Sequence, residues 1–145
     1  MYKKMIAFTI TASLLVGCQN SEQNAQQDSS NSALWETLTE LDQADSIEIV
    51  DGRNGKRISV TDEKEIEEVK RFIEGIEIKK KDFEEVMGTS HHINIKNKGE
   101  VTDALFFLGK RLSINGEKYE IQNEFDPAFL DKLLETHEHI EHIPE

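Results

Sequence analysis

The chain has 145 residues, 37% hydrophobic and 32% charged, with a formal net charge of −12. That length holds one small folded domain rather than two, and so acidic a balance argues against nucleic-acid binding and against adsorption to an anionic membrane by charge, which both need clustered Lys and Arg. The single cysteine, Cys18, excludes an intramolecular disulfide and a cysteine-based zinc cage.

Lys3 and Lys4 precede residues 5–16, an uncharged and mostly apolar stretch of 12 residues. It is shorter than the roughly 20 residues that a spanning helix needs, and it fits the apolar region of a secretory signal. It ends in Leu15-Val16-Gly17-Cys18. Together with the charge and the apolar run before it, this tetrapeptide resembles the lipobox of bacterial lipoproteins. The resemblance implies a signal peptide over residues 1–17, cleavage between Gly17 and Cys18, and a diacylglycerol on the Cys18 sulfur. Membrane lipid, through acylated Cys18, is then the first expected partner, and the extracytoplasmic face of the cell membrane the expected location. Two acyl chains anchor durably where one does not. Residues 18–32 read as the lipidated cysteine and a polar tether, because residues 19–32 hold one apolar side chain, Ala25. Such a tether reaches roughly 20 Å on average. Cleavage removes Lys3 and Lys4 and no acid, which leaves 15 Lys and Arg against 29 Asp and Glu, a net −14.

Residues 33–136 read as the folded domain. Leu34, Leu38 and Leu41 fall on one face of a 3.6-residue period, which predicts a helix over 33–44 with Ser32 as its N-cap. Trp35 lies beside that face and is expected to pack as a lid. Residues 46–51 and 57–60 alternate, and Gly52-Arg53-Asn54-Gly55 between them is turn chemistry, which predicts a β-hairpin. Asp62 and Glu65 have capping-box spacing, and Ile66, Val69, Phe72 and Ile73 form the apolar stripe of a helix that Gly75 ends. Residues 76–80 read as a short strand and 81–90 as a loop. Ile93 and Ile95 share a face over 92–97, and Lys98-Gly99 turns into a strand over 100–108. Its run of Ala104 to Leu108 predicts a central strand covered on both sides. Asn115-Gly116 joins strands over 111–114 and 118–121 by a type I′ turn. Asp126 as N-cap and Pro127 at the first helical position open a last helix with Phe129, Leu130, Leu133 and Leu134 on its apolar face. The predicted fold class is α+β, an antiparallel sheet of about five to six strands with two or three packed helices.

Four pieces carry a second resemblance: the helix EIEEVKRFI, the strand pair HHINIKNKGE with ALFFLG, the close LSINGEKYEI, and the helix FLDKLLE. From Ile47 to Leu134 the chain resembles Firmicute proteins with a YhfM-like domain. The resemblance implies a lipoprotein or membrane-anchored protein of this fold. It supplies no functional residue.

Residues 137–145 read as a His- and Glu-rich tail. His137, His139 and His142, with Glu138, are candidate ligands for Zn or Cu, since imidazole suits both and a carboxylate completes a site. If the last helix continues, His139 and His142 lie one turn apart. The alternative is a solvated helix end, where His is favourable near the C-terminal dipole. His91 and His92 are adjacent, so in a strand they face opposite ways. Ser90 precedes His91 without a nucleophile elbow or an oxyanion loop. The carboxylate pairs at Glu63 to Glu68 and at Glu84 and Glu85 read as solvated faces. Lys79, Lys80 and Lys81 are the one basic run, placed to blunt an edge strand or to meet an acidic partner. The functional expectation is a surface-anchored, non-catalytic binding or accessory module with a membrane-proximal protein or an envelope component as partner, and no nucleic acid. The alternative is an extracytoplasmic metal-binding protein that uses the tail.

Overall fold

The computed structural model describes residues 32–85 and 88–140. The expected signal peptide, Cys18, residues 19–31 of the expected tether, and His142 lie outside the described residues. Eight strands form one antiparallel sheet: β1 (Ser32–Ala33), β2 (Ser46–Asp51), β3 (Arg57–Val60), β4 (Glu77–Lys80), β5 (His91–Asn97), β6 (Glu100–Leu108), β7 (Arg111–Ile114) and β8 (Glu117–Ile121). Their order is β1-β4-β8-β7-β6-β5-β2-β3. Two helices, α1 (Glu63–Glu74) and α2 (Ala128–Thr136), complete the α+β architecture. None of the described helices is long and apolar enough to cross a membrane.

The sheet has eight strands against the expected five to six: all seven stretches read as strands pair into the one sheet, and β1, two residues long and too short to show any alternation, adds the eighth. The larger departure lies next to it. The helix expected over 33–44 is absent. Two 3₁₀ turns, Leu34–Thr37 and Leu41–Gln43, stand there instead, with Leu38 extended between them (φ −90°, ψ 144°). Leu34 and Leu41 do reach the core, and Leu38 packs against it, so the spacing marks the correct side chains. The backbone N–H groups of Thr39 and Glu40 turn away to the Asp103 carboxylate, which stops helix propagation. Ser32 pairs in β1 and caps nothing.

One face of the sheet is buried. Cross-strand neighbours Val60, Ile47, Ile95 and Ile58, Ile49, Ile93, Leu105, Ile114 run in rows under the helices. Ile66, Val69 and Ile73 of α1, with Leu130, Leu133 and Leu134 of α2, close over them. Asp62 caps α1 by accepting the Lys64 and Glu65 N–H groups. At α2, Pro127 already has helical dihedrals (φ −74°, ψ −3°) and Asp126 accepts the Ala128 N–H. The Asn115-Gly116 turn forms as expected, both residues at positive φ (50° and 89°).

No helix among the described residues covers the opposite face. On β6, Asp103, Leu105 and Phe107 are buried, whereas Ala104, Phe106 and Leu108 are half-buried. The strand is central, but the two-sided cover expected of it is only partial. Phe83, from the loop before β5, leans over this second face, with Arg111 and Lys118 each 5.6 Å from its ring centre. β4 is bordered by β1 only at Glu77 and Ile78, so Lys79 and Lys80 line an edge free of a further strand among the described residues.

Candidate functional site

Polar groups in the sheet collect in three places. The first is the end of the core face where Asp51, His91 and Asp131 meet. Asp51 and His91 are direct cross-strand partners on the buried side. His91, 1% exposed, shares its Nε2 with the Asp131 Oδ1 of α2 at 2.9 Å. Arg53 bridges the carboxylates, to Asp51 through Nε at 2.8 Å and to Asp131. The Arg53 hydrogen bond holds the Asp51 carboxyl below its ordinary range. For Asp131 the His91 hydrogen bond does most, with Arg53 adding to it. Among the described residues, no hydroxyl or thiol hydrogen-bonds to this His–Asp pair. Ser90 is the nearest hydroxyl in sequence, and its Oγ donates to the Phe107 carbonyl at 3.0 Å. The cluster straps the β2–β3 turn, β5 and α2 together.

The second place is Glu48, buried on the open face of the sheet. Burial opposes its charge, but the Asn94 amide and the Arg57 and Lys96 cations outweigh that and leave its pKa lowered. Beside it His92 stacks on Phe106 with ring centres 4.0 Å apart, and burial lowers the His92 pKa.

The third is the segment Leu34 to Gln43. Asp103 is fully buried and faces it from β6. Its carboxylate accepts the Thr39 N–H at 3.0 Å, the Thr39 hydroxyl at 3.1 Å, the Glu40 N–H at 3.4 Å and the Asn115 amide at 2.8 Å. Asn115 in turn accepts the Ala104 N–H with its own Oδ1. The segment is thus held from below by a carboxylate and from the core side by Leu34 and Leu41. What it presents outward is a groove of about 590 Å³ lined by Trp35, Glu36, Leu38, Thr39, Glu40, Leu41, Asp42, Gln43 and Glu74. Trp35 is 48% exposed, so the expected lid is instead an open aromatic face. Four of the lining residues are acids and none is Lys, Arg or His. Glu36, Asp42 and Glu74 make no ion pair among the described residues. A second, smaller groove of about 260 Å³ lies on the open face, between Phe83, Phe106, Leu108, Arg111 and Lys118.

The described tail candidates, His137, Glu138 and His139, do not converge on one site. α2 stops at Thr136, and His137 is extended (φ −101°, ψ 150°), so the helical continuation that would align His139 with His142 does not occur. His137 Nδ1 meets the Leu133 carbonyl and its Nε2 meets Glu65, both at 3.0 Å. His139 Nδ1 accepts the Arg57 N–H at 3.0 Å. Glu138, between them, makes no ion pair among the described residues. No group of three or more His, Cys, Asp or Glu among the described residues is placed to hold a metal. His91 and His92 face opposite ways, as the alternation requires.

Asp103, Asp51 and Asp131 escape a reading by motif. For Asp103 a signal does exist. It sits in phase with Leu105 and Phe107, so an acid occupies a core position of the strand. No family model, curated protein or solved structure matches the chain.

Proposed function

We propose that this protein is a lipoprotein of the extracytoplasmic membrane surface, anchored through Cys18, that acts as a non-catalytic binding module with the Trp35 groove as its recognition surface. The observation that carries this reading is Trp35 itself, a large apolar side chain left 48% exposed on a segment fixed by a buried carboxylate. Exposing an aromatic costs stability, and fixing it in place lowers the entropy lost on binding. The lining acids select a partner segment that brings cations, since an ammonium or guanidinium over the indole face adds a cation–π attraction to the carboxylate pairs. A membrane-proximal protein or a cationic envelope component fits that description.

The lipid part of the reading rests on the sequence of residues 1–18 and the polar stretch after it. Labelled palmitate should enter the wild-type chain and not Cys18→Ala; labelling of both would refute it. For recognition, capture from detergent-solubilised membranes should return the same partner with wild type and lose it with Trp35→Ala. Equal recovery by the two would remove the groove from the account.

A further inference from the structure

We propose that the outer edge of β3 is a strand-pairing surface for a second copy of this chain, held closed by the tail that follows α2. The argument starts from the ladder. Asp51 donates its N–H to the Lys56 carbonyl, so Lys56 bonds inward to β2. Alternation then turns the N–H and C=O of Arg57 outward, those of Ile58 inward, and those of Ser59 outward. The tail uses the first outward pair. His139 Nδ1 accepts the Arg57 N–H at 3.0 Å, and the Ile140 N–H donates to the Arg57 carbonyl at 2.8 Å. Ser59 is exposed, and no backbone or side-chain bond to its outward pair occurs among the described residues.

The described part of the tail therefore copies half of a strand pairing. It places one backbone N–H correctly, but it answers the Arg57 N–H with a ring nitrogen, and among the described residues nothing bonds to the outward groups of Ser59. A true strand would satisfy both residues with backbone groups. Exposed edges of this kind recruit strands, and proteins cover them for that reason.

β3 is itself a suitable strand. Two copies related by a two-fold axis through Ile58 place Arg57 opposite Ser59 of the second copy, and Ser59 opposite its Arg57. Both pairs are then outward-facing pairs, so four ladder hydrogen bonds close at once. No like charges meet at those positions. Lys56 falls opposite Val60, and the two Ile58 side chains meet on the core face, where Ile58 is fully buried. An axis through Arg57 instead sets Arg57 against Arg57 and is disfavoured. The edge is self-complementary in one register, and the tail occupies the residue that register needs.

The test uses the full chain, sedimentation for mass and amide hydrogen exchange for the edge. Wild type should sediment as a monomer, with slow exchange at Arg57 and Ile140 and fast exchange at Ser59. His139→Ala with Ile140→Pro removes both tail bonds without touching β3. Its mass should double, and Ser59 should join Arg57 in slow exchange. Adding Ser59→Pro deletes one outward N–H, a change tolerated at an edge, and should restore the monomer. The proposal is overturned if the tail variant stays monomeric at millimolar concentration with fast exchange at Arg57 and Ser59. It is equally overturned if a dimer forms while Ser59 still exchanges fast, a readout that does not depend on the proline variant folding.

Discussion

Asp103 and Asp131 solve one problem in different ways. Each brings a carboxylate to the helix-covered side of the sheet, near opposite ends. Asp103 is satisfied mainly by neutral donors, the Thr39 and Glu40 amides, the Thr39 hydroxyl and Asn115. Asp131, with its neighbour Asp51, is satisfied by Arg53 and His91. The first arrangement fixes a segment whose only regular structure is two short 3₁₀ turns. The second ties together elements that already hold themselves. Removing Asp103 should therefore cost more, and should act on the Trp35 groove. Removing Asp131 should cost less, and should leave the groove intact.

The largest effect is expected from Asp103→Ala. It leaves the Thr39 and Glu40 amides without their acceptor beneath a loop that depends on it, and should lower unfolding free energy by about 3 kcal/mol. Urea denaturation reads the loss, and Trp35 emission should show a more mobile indole before global unfolding. Asp131→Ala comes next, at about 1–2 kcal/mol, since it strips the His91 Nε2 of its partner in a fully buried position. Its signature is salt, because Arg53 is half-exposed and its attraction is screened. The gap between wild type and Asp131→Ala should shrink in 1 M salt, roughly an order of magnitude above the ionic strength at which screening first matters. The Asp103→Ala gap should not.

pH reads the Asp131 region together with the Glu48 cluster on the open face. Asp51, Asp131 and Glu48 all have lowered pKa values in the folded state. Their stabilisation is present above the unfolded carboxylate values, about 4, and is lost as pH falls through the folded values below that. His92 is also lowered, by burial. The unfolded chain then binds the proton more readily, so stability should begin to fall below about pH 6.5. Urea midpoints against pH should show both steps. His92→Phe should erase the upper one and keep the lower.

This contrast explains what was legible in the sequence. The hairpin at Gly52 to Gly55, the Asn115-Gly116 turn, the Asp62 cap and the apolar stripes of α1 and α2 are local signals, written within a few residues. Leu34, Leu38 and Leu41 carry a true burial signal and a false helix signal. What breaks the helix there is a carboxylate about 64 residues away in the chain, and no local pattern encodes that pairing. The tail reads as a helical His cluster for the same reason. His137 and His139 are claimed by Glu65 and Arg57, residues of distant elements. Zn²⁺ titration of wild type and of a variant with His137 and His139 replaced by Ala should accordingly give the same heat. Tail-dependent binding would favour the metal reading over the binding-module one.

The smallest stability effect is expected at Trp35, the residue proposed to carry recognition. Trp35→Ala removes a half-exposed side chain and should change unfolding free energy by no more than about 0.5 kcal/mol. It should nonetheless weaken partner binding at least tenfold, a loss of about 1.4 kcal/mol.

Trp35 is the only tryptophan in the chain, so its emission reports on the groove alone. The most direct test is to titrate the full chain with a lysine-rich peptide and follow that emission. A saturable change is predicted, weakened by salt, and lost when Glu36, Asp42 and Glu74 are replaced by Gln. An unchanged emission up to millimolar peptide, or an equal response in the Gln variant, would contradict the account.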